Sequence, residues 1–402
     1  MASKLKMTSN LLALATLLPI AAFADALDTL PYAFSGGTPS LDLRLRYENV
    51  DQQSALHNAY ATTFRARIGY DTGKWNDFDL YGEYEGTAAF FNQDYNSTVN
   101  GKTNQSVVAD PQDTRLNQAF LRYAGLPKTV IKLGRQRIQL DNDRFIGNVG
   151  WRDAEQTYDG YNLVTSWLLP KSTLNYTYIS NVNNVFYTDF AVRGHLINAN
   201  YAYAKWLNVV GYAYLLDFKQ NVATRRDTET FGGRVTGAFP VGPVTISYAG
   251  EYAKQQRYAD SPGLVDAEYY LIEPAVTAFG VTGKFGYEVL GANSAGTYGF
   301  QTPLATLHIF QGTADLFLNT PNTGIRDIYG SLGTKVEKVS LSAVYHDFKA
   351  DTGGLHYGTE IDVQASRPVV KGLTALVKYA DYFADKFAVD TKKFWVELDY
   401  QF

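Results

Sequence analysis

Apolar and polar residues alternate with a period of two along most of the chain. The final segment, residues 394–402, alternates most clearly, with apolar side chains at Phe394, Val396, Leu398, Tyr400 and Phe402 and polar ones at Glu397, Asp399 and Gln401. Successive side chains of a β-strand point to opposite faces, so this segment is predicted to be a strand with one apolar and one polar face.

About eighteen such segments can be placed, with sixteen as the nearest alternative. They begin near residues 40, 59, 76, 113, 128, 154, 172, 190, 206, 226, 243, 266, 283, 326, 338, 355, 372 and 391. After residue 24, no stretch approaches the 18 or so consecutive apolar residues that a transmembrane helix needs. The pattern therefore predicts a chain built almost entirely of strands.

The connections between these segments alternate in length. Short turns are predicted at residues 71–77, 125–128, 169–171, 205–208, 240–243, 281–284, 335–338 and 367–372, where Gly, Pro and Asn supply the turn geometry. Longer polar connections are predicted at residues 93–112, 139–156, 181–189, 219–226, 257–265 and 294–325. A soluble β-sandwich is the alternative fold, but its loops would not alternate in this regular way.

Short turns at one end and long loops at the other are typical of bacterial outer-membrane barrels. The apolar last strand, ending in the aromatic Phe402, resembles the segment that the assembly machinery of such barrels recognises. The 30 tyrosines and 23 phenylalanines suit the aromatic girdles at the two membrane interfaces. We predict an all-β, transmembrane, antiparallel up-and-down barrel in the outer membrane, in contact with lipid and lipopolysaccharide.

The N-terminus has the form of a secretory signal. Lys4 and Lys6 precede a twelve-residue apolar run, residues 11–22, and Ala22-Phe23-Ala24 has the small-x-small pattern of a cleavage site. A short buried helix is the alternative. We expect residues 1–24 to be removed and residues 25–402 to form one barrel domain.

Composition excludes several classes of function. The net charge of −4 becomes −6 once Lys4 and Lys6 are removed, so nucleic acid is not expected as a partner. The chain has no cysteine and therefore no disulfide or thiolate metal site. The five histidines show no metal-ligand spacing, and the Gly-x-Ser-x-Gly elbow of many hydrolases is absent. We predict no enzymatic activity, no cofactor and no metal.

One cluster of carboxylates is a candidate cation site. Asp141, Asp143 and Asp153 offer oxygen ligands for a cation in an outer loop. The alternative, which we prefer, is a solvated loop or salt bridges to Arg144 and Arg152.

Two blocks of sequence resemble the alginate-export family of outer-membrane proteins. The first contains Gly134-Arg-Gln-Arg-Ile138, Asp141-Asn-Asp-Arg-Phe-Ile-Gly147, Trp151-Arg152 and Gln156-Thr-Tyr-Asp-Gly160, and the second contains Thr302-Pro-Leu-Ala-Thr-Leu-His308 and Gly324-Ile-Arg-Asp-Ile-Tyr329. The resemblance implies an eighteen-stranded barrel that exports a polyuronate through a positively charged pore. At Ile309, Thr313 and Leu316 the chain departs from the family pattern, which makes the second block less cationic.

Strand parity predicts which charged side chains face the lumen. A charge on the lipid face near the bilayer centre costs about 2–4 kcal/mol, so the charged face of each strand is assigned to the inside. This rule assigns Asp42, Arg44, Arg46, Glu48, Arg65, Arg67, Asp79, Glu83, Glu85 and Arg234 to the lumen. Arg135 and Arg137 share the parity of the apolar Ile131 and Leu133. They face inward only if the pleat shifts at Gly134. The alternative is that they lie above the membrane, at the upper end of the strand.

Two further segments break the strand pattern and are candidates for the pore. Residues 139–153, which include Arg144 and Arg152, are too polar and irregular for a strand. Residues 303–319 place apolar side chains at helical spacing, so we predict a short helix or folded loop there, lying either in the barrel mouth or outside it. Its candidate constriction residues are Leu304, Leu307, His308, Phe310 and Asp315.

These observations favour a passive channel. Arginine pairs with two carboxylate oxygens at once, which suits an anionic saccharide such as a polyuronate. Opposite charges facing each other across a lumen also occur in general porins, so a channel for small hydrophilic solutes is the first alternative. An outer-membrane barrel hydrolase is the alternative from another class.

Overall fold

The strands of the protein close into a single antiparallel barrel. The computed structural model describes residue 31 and residues 33–220, 222, 225–261 and 263–402, so the predicted signal segment, residues 1–24, lies outside the described residues. The strands are β1 (Thr38–Gln52), β2 (Ala59–Asp71), β3 (Phe78–Asp94), β4 (Asp113–Tyr123), β5 (Thr129–Gln136), β6 (Thr157–Thr165), β7 (Ser172–Asn183), β8 (Asp189–Ala204), β9 (Leu207–Phe218), β10 (Thr228–Val241), β11 (Val244–Arg257), β12 (Asp266–Ala278), β13 (Val281–Leu290), β14 (Ile325–Val336), β15 (Val339–Lys349), β16 (His356–Val370), β17 (Leu373–Ala384) and β18 (Thr391–Gln401).

Each strand pairs with its sequence neighbours, and β1 also pairs with β18. At this closure Phe402 and Leu41 exchange two backbone hydrogen bonds of 2.9 and 3.0 Å. A closed barrel leaves no strand edge unpaired, which a lipid environment requires. The predicted all-β barrel of eighteen strands is confirmed, and every predicted strand start lies within three residues of the observed one.

The outer wall is apolar, as the parity of the strands predicts. Leu45 on β1, Ile68 on β2 and Leu332 on β14 are exposed, whereas the intervening Arg46 and Arg67 are buried inside the barrel. No helix among the described residues is long and apolar enough to span a membrane.

Short connections lie at one end of the barrel and longer ones at the other, which identifies the periplasmic and outer ends. The turn predicted at residues 281–284 was wrong. These residues belong to β13, and the turn is formed by Phe279 and Gly280, with φ of 52° and 78°. Positive φ at both central residues matches the twist of a tight hairpin. Residues 281–284 therefore extend the strand, although they include residue types that are common in turns.

Candidate functional site

The outer half of the lumen is filled by two loops that fold inward, residues 137–156 between β5 and β6 and residues 291–324 between β13 and β14. We call them together the plug. They are joined by backbone hydrogen bonds from Gly147 to the Leu304 carbonyl (2.8 Å) and from Thr306 to the Asp143 carbonyl (3.0 Å). Because the backbone near Leu304 pairs across to the first loop, it does not make helical hydrogen bonds. Of the short helix or folded loop predicted over residues 303–319, the structure has the folded loop, with one 3₁₀ turn at Leu307–Ile309.

One side of the plug packs on the barrel wall as an ordinary hydrophobic core. Phe145 lies 5.3 Å from Tyr212, 5.2 Å from Tyr269 and 5.8 Å from Phe300, measured between ring centroids. Leu304 is fully buried in the same cluster. This core extends along the inner faces of β6 to β9 and of β11 to β18.

A smaller contact joins the plug to β17 and β18. Trp151 stacks on His308 at 4.2 Å, with only 4° between the ring planes. The Lys378 ammonium donates to His308 Nε2 (2.8 Å), and His308 Nδ1 donates to Asp315 (2.7 Å). Burial lowers the pKa of His308 well below its ordinary value, so the ring is neutral and can accept the lysine proton through Nε2. Lys393 completes the contact with an ion pair of 3.0 Å to Asp315.

The opposite side of the plug meets the wall through charges. We call this region the charged seam: residues 150–155 of the plug against the inner faces of β1 to β4 and β18. Arg44 donates through Nη1 to the carbonyls of Gly150 (3.2 Å), Trp151 (3.0 Å) and Arg152 (3.4 Å). Arg46 donates through Nε to Glu397 (2.9 Å) and lies 4.1 Å above the Trp151 ring.

The remaining seam arginines are also paired. Arg65 contacts Asp42, and Arg67 contacts Glu85 and donates to the carbonyl of Asp153 (3.0 Å). Arg137 is 2.7 Å from Glu155, and a third of its side chain is exposed. The guanidinium groups are thus held by carboxylates in the structure rather than presented as a row of free cations.

Arg152 connects more segments than the other seam arginines described above. It donates to Glu48 on β1 (3.0 Å), to Asp110 in the outer loop after β3 (3.3 Å) and to Asp315 in the second loop of the plug (2.9 Å). One guanidinium therefore joins the wall, an outer loop and both halves of the plug.

A cavity of about 420 Å³ lies beneath the plug, toward the periplasmic turns. Its basic lining residues are Arg234, Lys284 and Lys378, and Phe310 of the plug contributes to its roof. Carboxylates accompany them: Lys284 lies 3.1 Å from Glu273, and Arg234 contacts Glu251. The volume is within the range of small-molecule sites.

The structure does not bring all the predicted pore residues together. Arg44, Arg46, Arg65, Arg67, Glu83, Glu85, Arg137 and Arg152 lie at the seam, whereas Arg234 lines the cavity. Arg144 lies on the other side of the plug, where it donates to Glu288 (2.7 Å) and Gln311 (2.9 Å). Arg135 pairs instead with Asp159 (2.7 Å) at the upper end of β5. Gly134, with φ of 130°, precedes the point where the chain turns inward and carries Arg137 to the lumen.

Sequence reasoning missed several residues of the site. Lys284 has the same lumen-facing parity as Thr282 and Glu288 of its strand, so the parity rule was sufficient to find it. Lys378 has the opposite parity to Asp381 on β17, so the rule did not assign it. Asp110 carried no comparable signal, because it lies in a polar loop of irregular pattern.

The carboxylates considered for a cation are separated in the fold. Asp141 accepts from Asn198 (2.7 Å), whereas Asp153 is buried at the seam. Among the described residues, no group of three or more His, Cys, Asp or Glu side chains has the arrangement of a metal site. The preferred salt bridges from these aspartates to Arg144 and Arg152 do not form among the described residues. Arg144 pairs instead with Glu288, and Arg152 pairs with Glu48, Asp110 and Asp315.

The charged seam is expected to respond to strong acid. Burial by itself would raise the pKa of Glu155, but Arg67 and Arg137 lower it from 4.5 to about 2. A carboxyl whose pKa is depressed in the docked plug stabilises docking above about pH 4.5, and this contribution is lost as the pH falls through about 2. Burial and Asp153 raise the pKa of Asp110, so protonation of Asp110 favours docking rather than opposing it.

Single-channel conductance is therefore expected to stay constant from neutral pH to about pH 4.5 and to rise as the pH approaches 2. Glu155→Gln should abolish most of this rise. An identical acid transition in that variant would assign the response to other carboxylates.

The closed barrel, apolar outer wall and polar lumen define a passive channel of the bacterial outer membrane. The family described as alginate export matches residues 43–180, from β1 into β7, which confirms the resemblance of the first sequence block. The second block, residues 302–329, lies outside the matched range. No curated protein matches the chain.

Solved structures share the whole fold at low identity. Acinetobacter baumannii OccAB4 has 15% identity and a TM-score of 0.71, and Pseudomonas aeruginosa OccK9 (OpdG) has 15% identity and a TM-score of 0.73. Pseudomonas aeruginosa OpdK, crystallised with vanillate, has 13% identity and a TM-score of 0.71. Each comparison covers 92% of this chain and 99% of the other. The matching family and these neighbours are transport channels rather than enzymes.

Proposed function

We propose that this channel passes anionic, carboxylated saccharides of the polyuronate class, guided by the basic side chains of the lumen. The observation that carries the proposal is the cavity beneath the plug, which is lined by Arg234, Lys284 and Lys378 together with four carboxylates, those of Glu273, Glu288, Asp327 and Asp362. A carboxylate is also the ligand named for OpdK, which shares the fold.

The geometry favours short saccharides over a wide polymer path. The plug occupies the outer half of the lumen, and the cavity below it holds about 420 Å³. Several cations within one Debye length of a solute, about 8 Å, add their attractions, whereas a single exposed charge contributes only about 1 kcal/mol.

A general porin for small hydrophilic solutes is the second candidate. The pairing of the cavity cations with carboxylates favours it, as in the 3.1 Å contact of Lys284 with Glu273. Paired charges produce a field across the lumen with little net preference for anions. The two functions differ in whether a charged sugar binds more tightly than a neutral one.

The lipid bilayer surrounds a barrel of this kind. Contact with lipopolysaccharide and recognition of Phe402 by the barrel assembly machinery are further proposals. Their support is the exposed aromatic residue at the end of the chain, beside the closing strand pair.

The test is the reversal potential of the refolded channel under a KCl gradient, repeated with polyuronate oligomers and with neutral oligosaccharides. Anion preference with block by the charged oligomer alone is the result expected. Weak or cation preference without block would identify the general porin instead.

Lys284→Gln should weaken block by the oligomer about fivefold, because it removes a partly exposed charge worth about 1 kcal/mol and leaves Glu273 without its cation. Lys338→Gln, which removes the same charge from an exposed periplasmic turn, is the matched control. Equal effects of the two substitutions would remove Lys284 from the solute path.

A further inference from the structure

Lys378 differs from the other two cations that line the cavity beneath the plug. Arg234 contacts Glu251, and Lys284 lies 3.1 Å from Glu273, so each of them has a carboxylate partner on the wall. Lys378 has no carboxylate within 4.0 Å among the residues that the structure describes. Of the three charges, that of Lys378 is therefore the most available to an anion in the cavity.

The hydrogen bond of Lys378 goes to the plug instead. The ammonium donates to His308 Nε2 (2.8 Å), and it lies 4.6 Å from the ring centroid of Trp151 and 5.5 Å from that of Trp395. An ammonium has three N–H donors, and His308 accepts one of them. Because Lys378 also lines the cavity, one side chain borders both the plug and the space below it.

Two neutral polar side chains continue the inner wall beside Lys378. Gln364 on β16 lies directly opposite Lys378 on β17, and Ser342 on β15 lies directly opposite Gln364. Directly opposite residues of neighbouring antiparallel strands have Cβ atoms about 4.5–5.5 Å apart. All three line the cavity, and the side chains of Gln364 and Ser342 make no hydrogen bond within the described part of the chain. An ammonium, an amide and a hydroxyl thus form one row on the cavity wall.

This row has the chemistry that recognises a sugar acid. The ammonium attracts a carboxylate, while the amide and the hydroxyl can donate to or accept from the hydroxyl groups of a sugar ring. Asp362 is the next inward residue of β16 toward the outer end, where Thr313 of the plug donates to it (2.5 Å). A solute carboxylate is therefore expected to turn toward Lys378, with its ring beside Gln364 and Ser342.

We propose that Lys378, Gln364 and Ser342 form a subsite for one sugar acid, in which the lysine leaves its histidine partner on the plug to pair with the solute carboxylate. This inference rests on the proposed transport of carboxylated saccharides, and it adds which residues bind the solute and how binding acts on the plug. The flexible four-carbon stem of lysine lets the ammonium move between the two partners without a change of the backbone.

Sharing of Lys378 couples the solute to the plug. A bound carboxylate removes the hydrogen bond between Lys378 and His308, so it weakens the contact of the plug with β17 and β18. By linkage, the same competition lowers the affinity for the solute. A channel needs sites that bind a solute weakly enough to release it, and the competition with His308 supplies that limit. Glucose has no carboxylate and should leave this contact in place.

The first test measures block of the current in planar bilayers by glucuronate and by glucose. Lys378→Gln should weaken block by glucuronate about tenfold, because it removes one charge-assisted hydrogen bond, and should leave the small effect of glucose unchanged. Gln364→Ala should weaken block by glucuronate about threefold, and an unchanged value would remove Gln364 from the subsite. Lys386→Gln is the matched control, since it removes a lysine that pairs with Asp385 (3.4 Å) at the exposed outer rim.

His308→Phe tests the sharing of Lys378. Phenylalanine can keep an aromatic ring stacked on Trp151 but has no Nε2 acceptor, so Lys378 is free to pair with the solute. Block by glucuronate should tighten about fivefold, the change expected when one competing hydrogen bond is lost. An unchanged block would show that Lys378 does not exchange partners. Tightening that persists after Lys378→Gln is added would assign the effect to a looser plug and overturn the sharing.

Tryptophan fluorescence gives a readout that does not depend on transport. Trp151 and Trp395 flank the Lys378 ammonium, so its departure changes the surroundings of both rings. Glucuronate should change the emission of the refolded barrel in a saturable way, whereas glucose should not. Lys378→Gln should abolish this change.

The outcomes distinguish this inference from the function on which it rests. A saturable fluorescence change that requires Lys378, without block of the current by glucuronate, would overturn the transport of carboxylated saccharides and retain the subsite. Selective block by glucuronate that Lys378→Gln leaves unchanged, in a barrel that keeps its heat-dependent gel mobility, would retain the function and overturn the inference. Absence of both signals in the wild-type channel would overturn both.

Discussion

Replacing Arg152 by glutamine is expected to release the plug and raise the single-channel conductance several-fold. Arg152 is the shared partner of Glu48, Asp110 and Asp315, all of them buried. Glutamine leaves these carboxylates without their common cation. Removing one member of a buried ion network costs roughly 3–5 kcal/mol, because the remaining charges stay desolvated. Undocking relieves that cost by returning the carboxylates to water.

The barrel itself should survive this substitution. Its closure depends on backbone hydrogen bonds between β1 and β18, none of which involves the Arg152 side chain. The heat-dependent shift in gel mobility is therefore expected to persist while conductance and protease sensitivity of residues 137–156 increase. Arg193→Gln is the control, since Arg193 is 70% exposed at the outer rim, where it pairs with Asp217. Unchanged conductance in Arg152→Gln would show that the apolar core holds the plug without this network.

Replacing Arg65 and Arg67 together by alanine is expected to change the channel from anion to cation preference. The two arginines neutralise Asp42 on β1, Glu85 on β3 and Asp399 on β18. Without them the seam keeps its carboxylates and loses two fixed cations. Because the site is buried and screened less than a surface pair, the change in local potential should exceed that of a rim substitution.

The reversal potential under a KCl gradient measures this change. A matched variant, Arg193→Ala with Arg367→Ala, removes two cations at exposed positions outside the lumen. It should leave the reversal potential near the wild-type value. If both double variants shift the potential equally, the effect reflects net charge, and the seam does not lie on the ion path.

The sequence predicted which strand residues face outward and which face inward. It did not predict that two loops fill the outer half of the lumen. A period of two places Leu45 outside and Arg46 inside wherever the two faces differ in polarity. At the outer ends of β7 and β8 the inward residues Ile179 and Leu196 are apolar. Apolar residues on both faces have no explanation in a water-filled lumen, and only the packing of Phe145 and its neighbours shows why they are there.

The second loop of the plug shows how local pattern and tertiary contacts compete. Leu304, Leu307 and Phe310 have helical spacing, which predicted a short helix or a folded loop. In the structure Leu304 pairs with Ile146 in an isolated β-bridge, and its carbonyl accepts from Gly147. These hydrogen bonds replace those of a helix, because they also bury Leu304 in the core of the plug.

The sequence by itself determined the number of strands to within two, their faces, the two kinds of connection and hence the class of protein, because each of these follows from local patterns over a few residues. Only the tertiary structure decided which charges meet. Arg46 pairs with Glu397 from the last strand, and Arg152 with Asp110 from a distant loop. Such pairs depend on barrel closure and on the path of loops whose own sequence has no regular period, so no local pattern encodes them.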